Sequence, residues 1–179
     1  MKYFLIFSIF CFLCSCSSRH IPISKEEKIT AKIRERVIQK LRKETGLVPF
    51  GFGCGGGKNE IKFLELTFQY YQPLDIEEGR KLLIQATEEF LHEINSNEKV
   101  RPYLQNYPFE PKNVSILILL QKPDGREVDQ GELTLIGAKE GSVEYEIYEA
   151  PHRLTTVHKE TYEEALQALQ NQESVQQTS

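Results

Sequence analysis

Apolar positions recur along the chain with two different periods. Ile29, Ile33, Val37 and Leu41 fall every four residues, which makes one stripe of a helix over residues 25–44. Ser24 and Glu27 stand before the stripe as an S-x-x-E capping box, and Gly46 is a stop signal. Residues 61–71, I-K-F-L-E-L-T-F-Q-Y-Y, alternate instead. Leu64, Leu66, Phe68 and Tyr70 share one face, while Phe63, Glu65, Thr67 and Gln69 share a mixed one, so this segment reads as a strand ended by Pro73. Asp75 and Glu78 open a second helix over 76–96. Its stripe is Ile76, Gly79, Leu83, Ala86, Phe90 and Ile94, widened by Leu82 and Leu91, as expected of the helix that covers the sheet. Gly79 in that stripe lets a neighbour approach closely.

Residues 97–112 hold three prolines and three aromatics and read as an ordered loop. The run V-S-I-L-I-L-L-Q at 114–121 is apolar on both faces, the mark of a central strand covered on both sides. Asp124-Gly125 signals a turn, a strand follows at 132–138, and Glu140-Gly141 signals the next turn. The strand at 142–148 alternates, with Val143, Tyr145 and Ile147 inward and Glu144 and Glu146 outward. These three strands make an antiparallel meander. Pro151 breaks the chain, and 152–158 has room for a short edge strand. Thr161 and Glu164 cap a helix over 162–170, and the polar tail 172–179 should fray. The order α-β-α-β-β-β-α predicts an α+β fold, a mostly antiparallel sheet of four to five strands with helices packed on it.

The first sixteen residues carry a different pattern. Lys2 is a short positive segment, and Tyr3 to Leu13 form an apolar run too short to span a bilayer but suited to a secretory leader. Leu13-Cys14-Ser15-Cys16 follows. This resembles the lipobox of bacterial lipoproteins, with Leu at −3, a small residue at −1 and the obligatory cysteine. The resemblance implies that Cys16 is lipidated, that residues 1–15 are removed, and that the amine of Cys16 is acylated. Several acyl chains are needed because one gives only marginal, reversible membrane binding. Ser17 at +2, rather than Asp, resembles outer-membrane sorting, so the expected location is the cell envelope, at the outer more than the inner membrane. The chain then divides into a leader at 1–15, a tether at 16–23, one domain at 24–171 and the tail.

Charge and cysteine content narrow the chemistry. The chain has 179 residues and a formal net charge of −4, and removing Lys2 with the leader leaves about −5. That balance disfavours nucleic acid as a partner. The first helix departs from it, with eight basic against four acidic residues from Lys25 to Glu44. Such a helix either docks on the domain with its charges in water or lies against anionic headgroups or a partner helix. Of the four cysteines, Cys11 and Cys14 leave with the leader and Cys16 becomes a thioether. Cys54 is then the single mature thiol, buried and inert, paired with another chain, or chemically used.

Cys54 sits in G-L-V-P-F-G-F-G-C-G-G-G-K-N at 46–59, a stretch that reads as a glycine-rich loop. It is not a phosphate loop, because Phe52 and Asn59 stand where glycine and Ser or Thr are required. A thiol nucleophile would need a base from His92, His152 or His158. The four histidines, including His20, show no metal-binding spacing, and no cofactor is called for. Arg101, Tyr103, Tyr107 and Phe109 in the proline-rich loop are residue types that dominate interface hot spots, although the rings would equally serve as a lid on the core. That loop, the G-F-G-C-G-G-G stretch and the E-T-Y-E-E-A-L helix together resemble a group of small bacterial lipoproteins to which no activity is attached. The expectation is a non-enzymatic, membrane-anchored binding or envelope-assembly module with an envelope protein as partner. The alternative is a thiol-dependent enzyme or a disulfide-linked structural protein centred on Cys54.

Overall fold

The computed structural model of the protein describes residues 23–57, 59–150 and 153–177. The leader, Cys16, the tether through residue 22, His20, Lys58, Pro151 and His152 lie outside the described residues. The chain runs α1 (Lys25–Thr45), β1 (Val48–Gly55), β2 (Phe63–Tyr70), α2 (Ile76–Asn95), two short 3-10 turns (Arg101–Tyr103 and Pro111–Asn113), β3 (Val114–Leu120), β4 (Leu133–Lys139), β5 (Ser142–Ala150), β6 (Arg153–Thr161) and α3 (Tyr162–Gln177). The six strands form one sheet in sequence order. β2 and β3 are parallel, joined by the α2 crossover that a parallel neighbour requires, and every other pair is antiparallel.

The α+β class and the β3-β4-β5 meander agree with the sequence pattern. The predicted order α-β-α-β-β-β-α and the count of four to five strands do not, because two strands were missed or undersized. β1 forms from the glycine-rich stretch expected to be a loop. Glycine there alternates with larger residues, and Gly51, Gly53 and Gly55 pair with Thr67, Glu65 and Phe63. The glycines therefore make one face of an edge strand rather than a turn. β6 runs nine residues where only a short edge strand had room, and it pairs with β5 along most of its length. α3 continues to Gln177, well into the tail expected to fray.

The helix boundaries follow their capping signals. Ser24 Oγ accepts from Glu27 N at 3.2 Å, and Gly46 closes α1 in the left-handed conformation at φ 80°. Asp75 and Glu78 exchange hydrogen bonds in both directions at the start of α2. Thr161 and Glu164 do the same before α3. Glu140 and Gly141, at φ 53° and 79°, form the tight turn between β4 and β5.

One face of the sheet is the core. Leu66, Ile116, Ala138 and Val143 form one row across four strands, and Phe68, Ile118, Ile136 and Tyr145 form the next. α2 lies over them, with Leu83, Ala86, Phe90 and Ile94 buried. Gly79 sets the helix close, since a Cβ there would come within 3.3 Å of Ile136 Cδ1. α1 buries Ile33, Val37 and Leu41 completely and ties itself to α2 through Arg36–Glu93 and Lys40–Glu89. Its apolar stripe is thus used inside the protein rather than offered to lipid. Each such large side chain contributes about 1.5–3 kcal/mol. Among the described residues the three helices gather on this face and none covers the other face. β3 is central, as its composition predicts, but Leu117 and Leu119 on its second face are only half-buried. Among the described residues no helix is long and apolar enough to cross a membrane.

Candidate functional site

Cys54 faces the helix side, opposite Leu64, and its side chain is exposed. It opens into a cleft of about 310 Å³ between β1 and the first turns of α1, shared with Glu26, Glu27 and Thr30. Partial burial pushes the thiol's pKa up, and the two carboxylates push it further in the same direction. A nucleophilic cysteine needs the opposite surroundings. His158 lies on β6 at the other edge of the sheet, His92 is exposed near the end of α2, and neither touches Cys54. Among the described residues no group of three or more His, Cys, Asp or Glu gathers as metal ligands would.

The proline-rich loop folds down on the domain and divides its four candidate residues. Phe109 is 2% exposed and belongs to the core, held by Asn95, whose side chain bonds both its N–H and its carbonyl at 2.8 and 2.9 Å. Tyr103 is half-buried against the core, and its carbonyl accepts from Ile61 N. Arg101 and Tyr107 stay at the surface. The Arg101 guanidinium lies 4.1 Å from the centre of the Tyr107 ring and donates to its hydroxyl at 2.7 Å, and that hydroxyl donates to Asn95 O. Phe109 therefore drops out of the expected contact surface, and Arg101 with Tyr107 remains as one small exposed pair.

A buried ion pair that the sequence did not announce joins α2 to β6. Arg80 donates to both oxygens of Glu160 at 2.8 and 3.2 Å, and Tyr145 donates to one of them at 2.8 Å. Burial alone would raise the Glu160 carboxyl. The hydrogen bonds from Arg80 and Tyr145 together outweigh it and hold the group below the usual carboxylate range. With both oxygens occupied, this network locks a helix to an edge strand. The clue in the sequence is Arg80 beside Gly79 in the apolar stripe of α2.

The second face of the sheet is left without a helix over it among the described residues. Its residues stand in rows across the strands. One row is Gly53, Glu65, Ser115, Lys139 and Ser142. The next is Gly51, Thr67, Leu117, Gly137, Glu144 and Lys159, and a third brings Gln69, Leu119, Leu135 and Glu146 together. The Phe63 ring lies on Gly55, where a Cβ would come within 1.9 Å of it. The ring is still 40% exposed. Where this face meets the Pro111–Asn113 turn and residues 105–106, it sinks into a groove of about 680 Å³. A second depression of about 360 Å³ over Leu117 and Leu135 shares Lys139 and Glu140 with the first, so the two run together.

The groove holds polar groups whose bonding is incomplete. Ser115 is 3% exposed, and its hydroxyl has no hydrogen-bond partner among the described residues. Asn113 is also buried. Its Oδ1 accepts from Glu110 N at 3.0 Å, but its Nδ2 reaches Lys62 O only at 3.5 Å. Lys112 pairs with Glu110 at 2.6 Å, whereas the ammonium groups of Lys62 and Lys139 have no partner among the described residues. The signal for this site in the sequence was a lone serine in the apolar run of β3. Compared with protein-family models, curated proteins and solved structures, the chain matches none of them.

Proposed function

We propose that this protein is a membrane-anchored bacterial lipoprotein that works as a non-enzymatic binding or envelope-assembly module, tethered through a lipid on Cys16. The observation that carries the anchor is Leu13-Cys14-Ser15-Cys16 directly after an eleven-residue apolar run that begins next to Lys2. Ser17 supports delivery to the outer membrane. Binding is supported by the uncovered sheet face, where open rows of mixed side chains and a polar groove stand above the packed core. The electrostatics at Cys54 favour the protonated thiol, which weighs against a thiol-dependent enzyme. Its exposure on an edge strand keeps a disulfide to another chain as the second reading.

Two measurements test the proposal. Cells fed a radiolabelled fatty acid should label the full-length protein, and Cys16→Ser should abolish both the label and membrane retention. Label that persists in Cys16→Ser removes the anchor from the account. In-cell cross-linking of the lipidated protein should then recover a reproducible envelope partner. Loss of that partner on changing residues of the uncovered face, with Arg101 and Tyr107 unchanged, places the contact there. Loss on changing Arg101 and Tyr107 instead moves it to the loop.

A further inference from the structure

We infer that the groove over Ser115 binds an acidic saccharide, with the sugar's carboxylate at Lys62 and Lys139 and its hydroxyls at the buried polar floor. This rests on reading the protein as a binding module and names the ligand class its uncovered face takes. Four observations carry it.

The first is the floor. A hydroxyl buried without a partner is destabilising, and folded proteins rarely keep one without a reason. Ser115 Oγ is such a group, as are Thr155 Oγ1 and His158 Nε2 on β6, and of the three it is the one that lines the groove, beside Asn113, whose amide N–H is only weakly engaged. A ligand hydroxyl or carboxylate completes both.

The second is the charge. Lys62 stands just before β2 and Lys139 ends β4, so their ammonium groups come from strands on either side of β3. Neither has a partner among the described residues, in a chain whose net charge is negative. Glu65 and Glu140 line the same groove. They would repel a compact inorganic anion, but they accept hydrogen bonds from a polyol. A ligand acidic at one point and hydroxylated elsewhere satisfies both signs.

The third is the wall. Phe63, lying on Gly55 with 40% of its surface exposed, gives an apolar plane for the C–H face of a pyranose ring. The planar amides of Gln105 and Asn106 at the rim can each engage neighbouring hydroxyls. Convergent polar groups with an aromatic wall are what small-ligand sites use to fix orientation. The fourth is length, because the groove continues past Lys139 and Glu140 into the second depression. That favours a short oligosaccharide over a single ring.

The test is calorimetric titration of the full lipidated protein, purified from membranes in a detergent without a sugar headgroup. The probes are trigalacturonate and galacturonate, with galactose, acetate and inorganic phosphate as controls. Trigalacturonate should bind more tightly than galacturonate, and galactose and acetate should each bind at least about tenfold more weakly, since each lacks one half of the recognition. The double variant Lys62→Gln/Lys139→Gln should weaken trigalacturonate binding by about tenfold or more at an unchanged melting temperature, because these lysines hold no fold contact. Ser115→Ala should weaken binding severalfold without destabilising the protein. Three results overturn the proposal: no heat with trigalacturonate, equal binding of acetate or phosphate, or binding indifferent to the lysine variant. None of these bears on fatty-acid labelling of Cys16, so failure of the ligand and failure of the anchor are told apart.

Discussion

The two faces of the sheet are built from the same strands and used in opposite ways. On the helix side, nearly every second residue of β2, β3 and β4 is buried beneath the helices, and Arg80, Tyr145 and Glu160 pair with one another, although His158 Nε2 beside them is buried without a hydrogen-bond partner among the described residues. On the other side the alternate residues, apart from the buried Ser115, are half-buried or exposed, and the rows mix glycine, leucine, lysine and glutamate. One side uses its side chains for burial and for the Arg80–Glu160–Tyr145 network. The other keeps Ser115 unpaired and two ammonium groups idle. An unpaired hydroxyl and two unpaired ammonium groups lining one groove are what a binding surface offers a ligand, whereas the rows under the helices are closed by packing.

That contrast can be broken by substitution, and the largest effect is expected at the buried ion pair. Glu160→Ala leaves Arg80 charged and unpaired inside the protein, so urea unfolding should show a loss of about 3–5 kcal/mol. Replacing both partners, as Arg80→Met with Glu160→Leu, should restore most of it. The same pair sets a pH dependence. The folded-state pKa of Glu160 is held below the ordinary value of 4.5, so the contribution is present above that pH and fades as pH falls through the lowered folded value. The stability gap between the wild type and Glu160→Ala should therefore narrow in acid, and a constant gap would show that Glu160 is not the group responsible.

Next in size is a comparison within one strand. Ile118→Ala on the covered face should cost about 2–5 kcal/mol, while Leu119→Ala, its half-buried neighbour on the open face, should cost about 1 kcal/mol or less. Equal losses by thermal melting would mean that the open face is packed after all. Gly55→Ala comes third. Its new methyl group collides with the Phe63 ring, so the ring must swing away, at about 1–3 kcal/mol. The smallest effect is Lys62→Gln or Lys139→Gln, within about 0.5 kcal/mol on stability. A marked destabilisation by either would mean that the lysine holds the fold and is not idle.

Much of the molecule was legible along the chain, and the misses share a cause. The helices were readable because capping residues and apolar stripes are local signals, as at Ser24, Asp75 and Thr161. β1 was hidden because glycine reads as a turn former. Its role as one face of an edge strand depends on Thr67, Glu65 and Phe63 lying beside it. The second face of β3 looked buried because Leu117 and Leu119 are apolar, and hydropathy does not say whether a layer will cover them. Phe109 and Tyr107 are two residues apart in one loop, yet Asn95 draws Phe109 inward by both backbone groups while Tyr107 stays out with Arg101.

The candidate site shows the same division. Cys54 was conspicuous as a lone thiol, but its pKa is pushed up first by burial in the cleft against α1 and then by Glu26 and Glu27, more than twenty-five residues earlier in the chain. The groove was invisible in the sequence because Lys62, the Asn113–Ser115 segment and Lys139 come from three separate stretches and meet only across the parallel β2-β3 and antiparallel β3-β4 pairs. By itself the sequence determined the helices and the α+β class, since both are written in contiguous residues acting over short range. The tertiary structure alone decided which face of the sheet would stay open, which charges would be paired, and where a polar groove would form. Those outcomes depend on strand register and on which layer covers which, and both are set by contacts between residues distant along the chain.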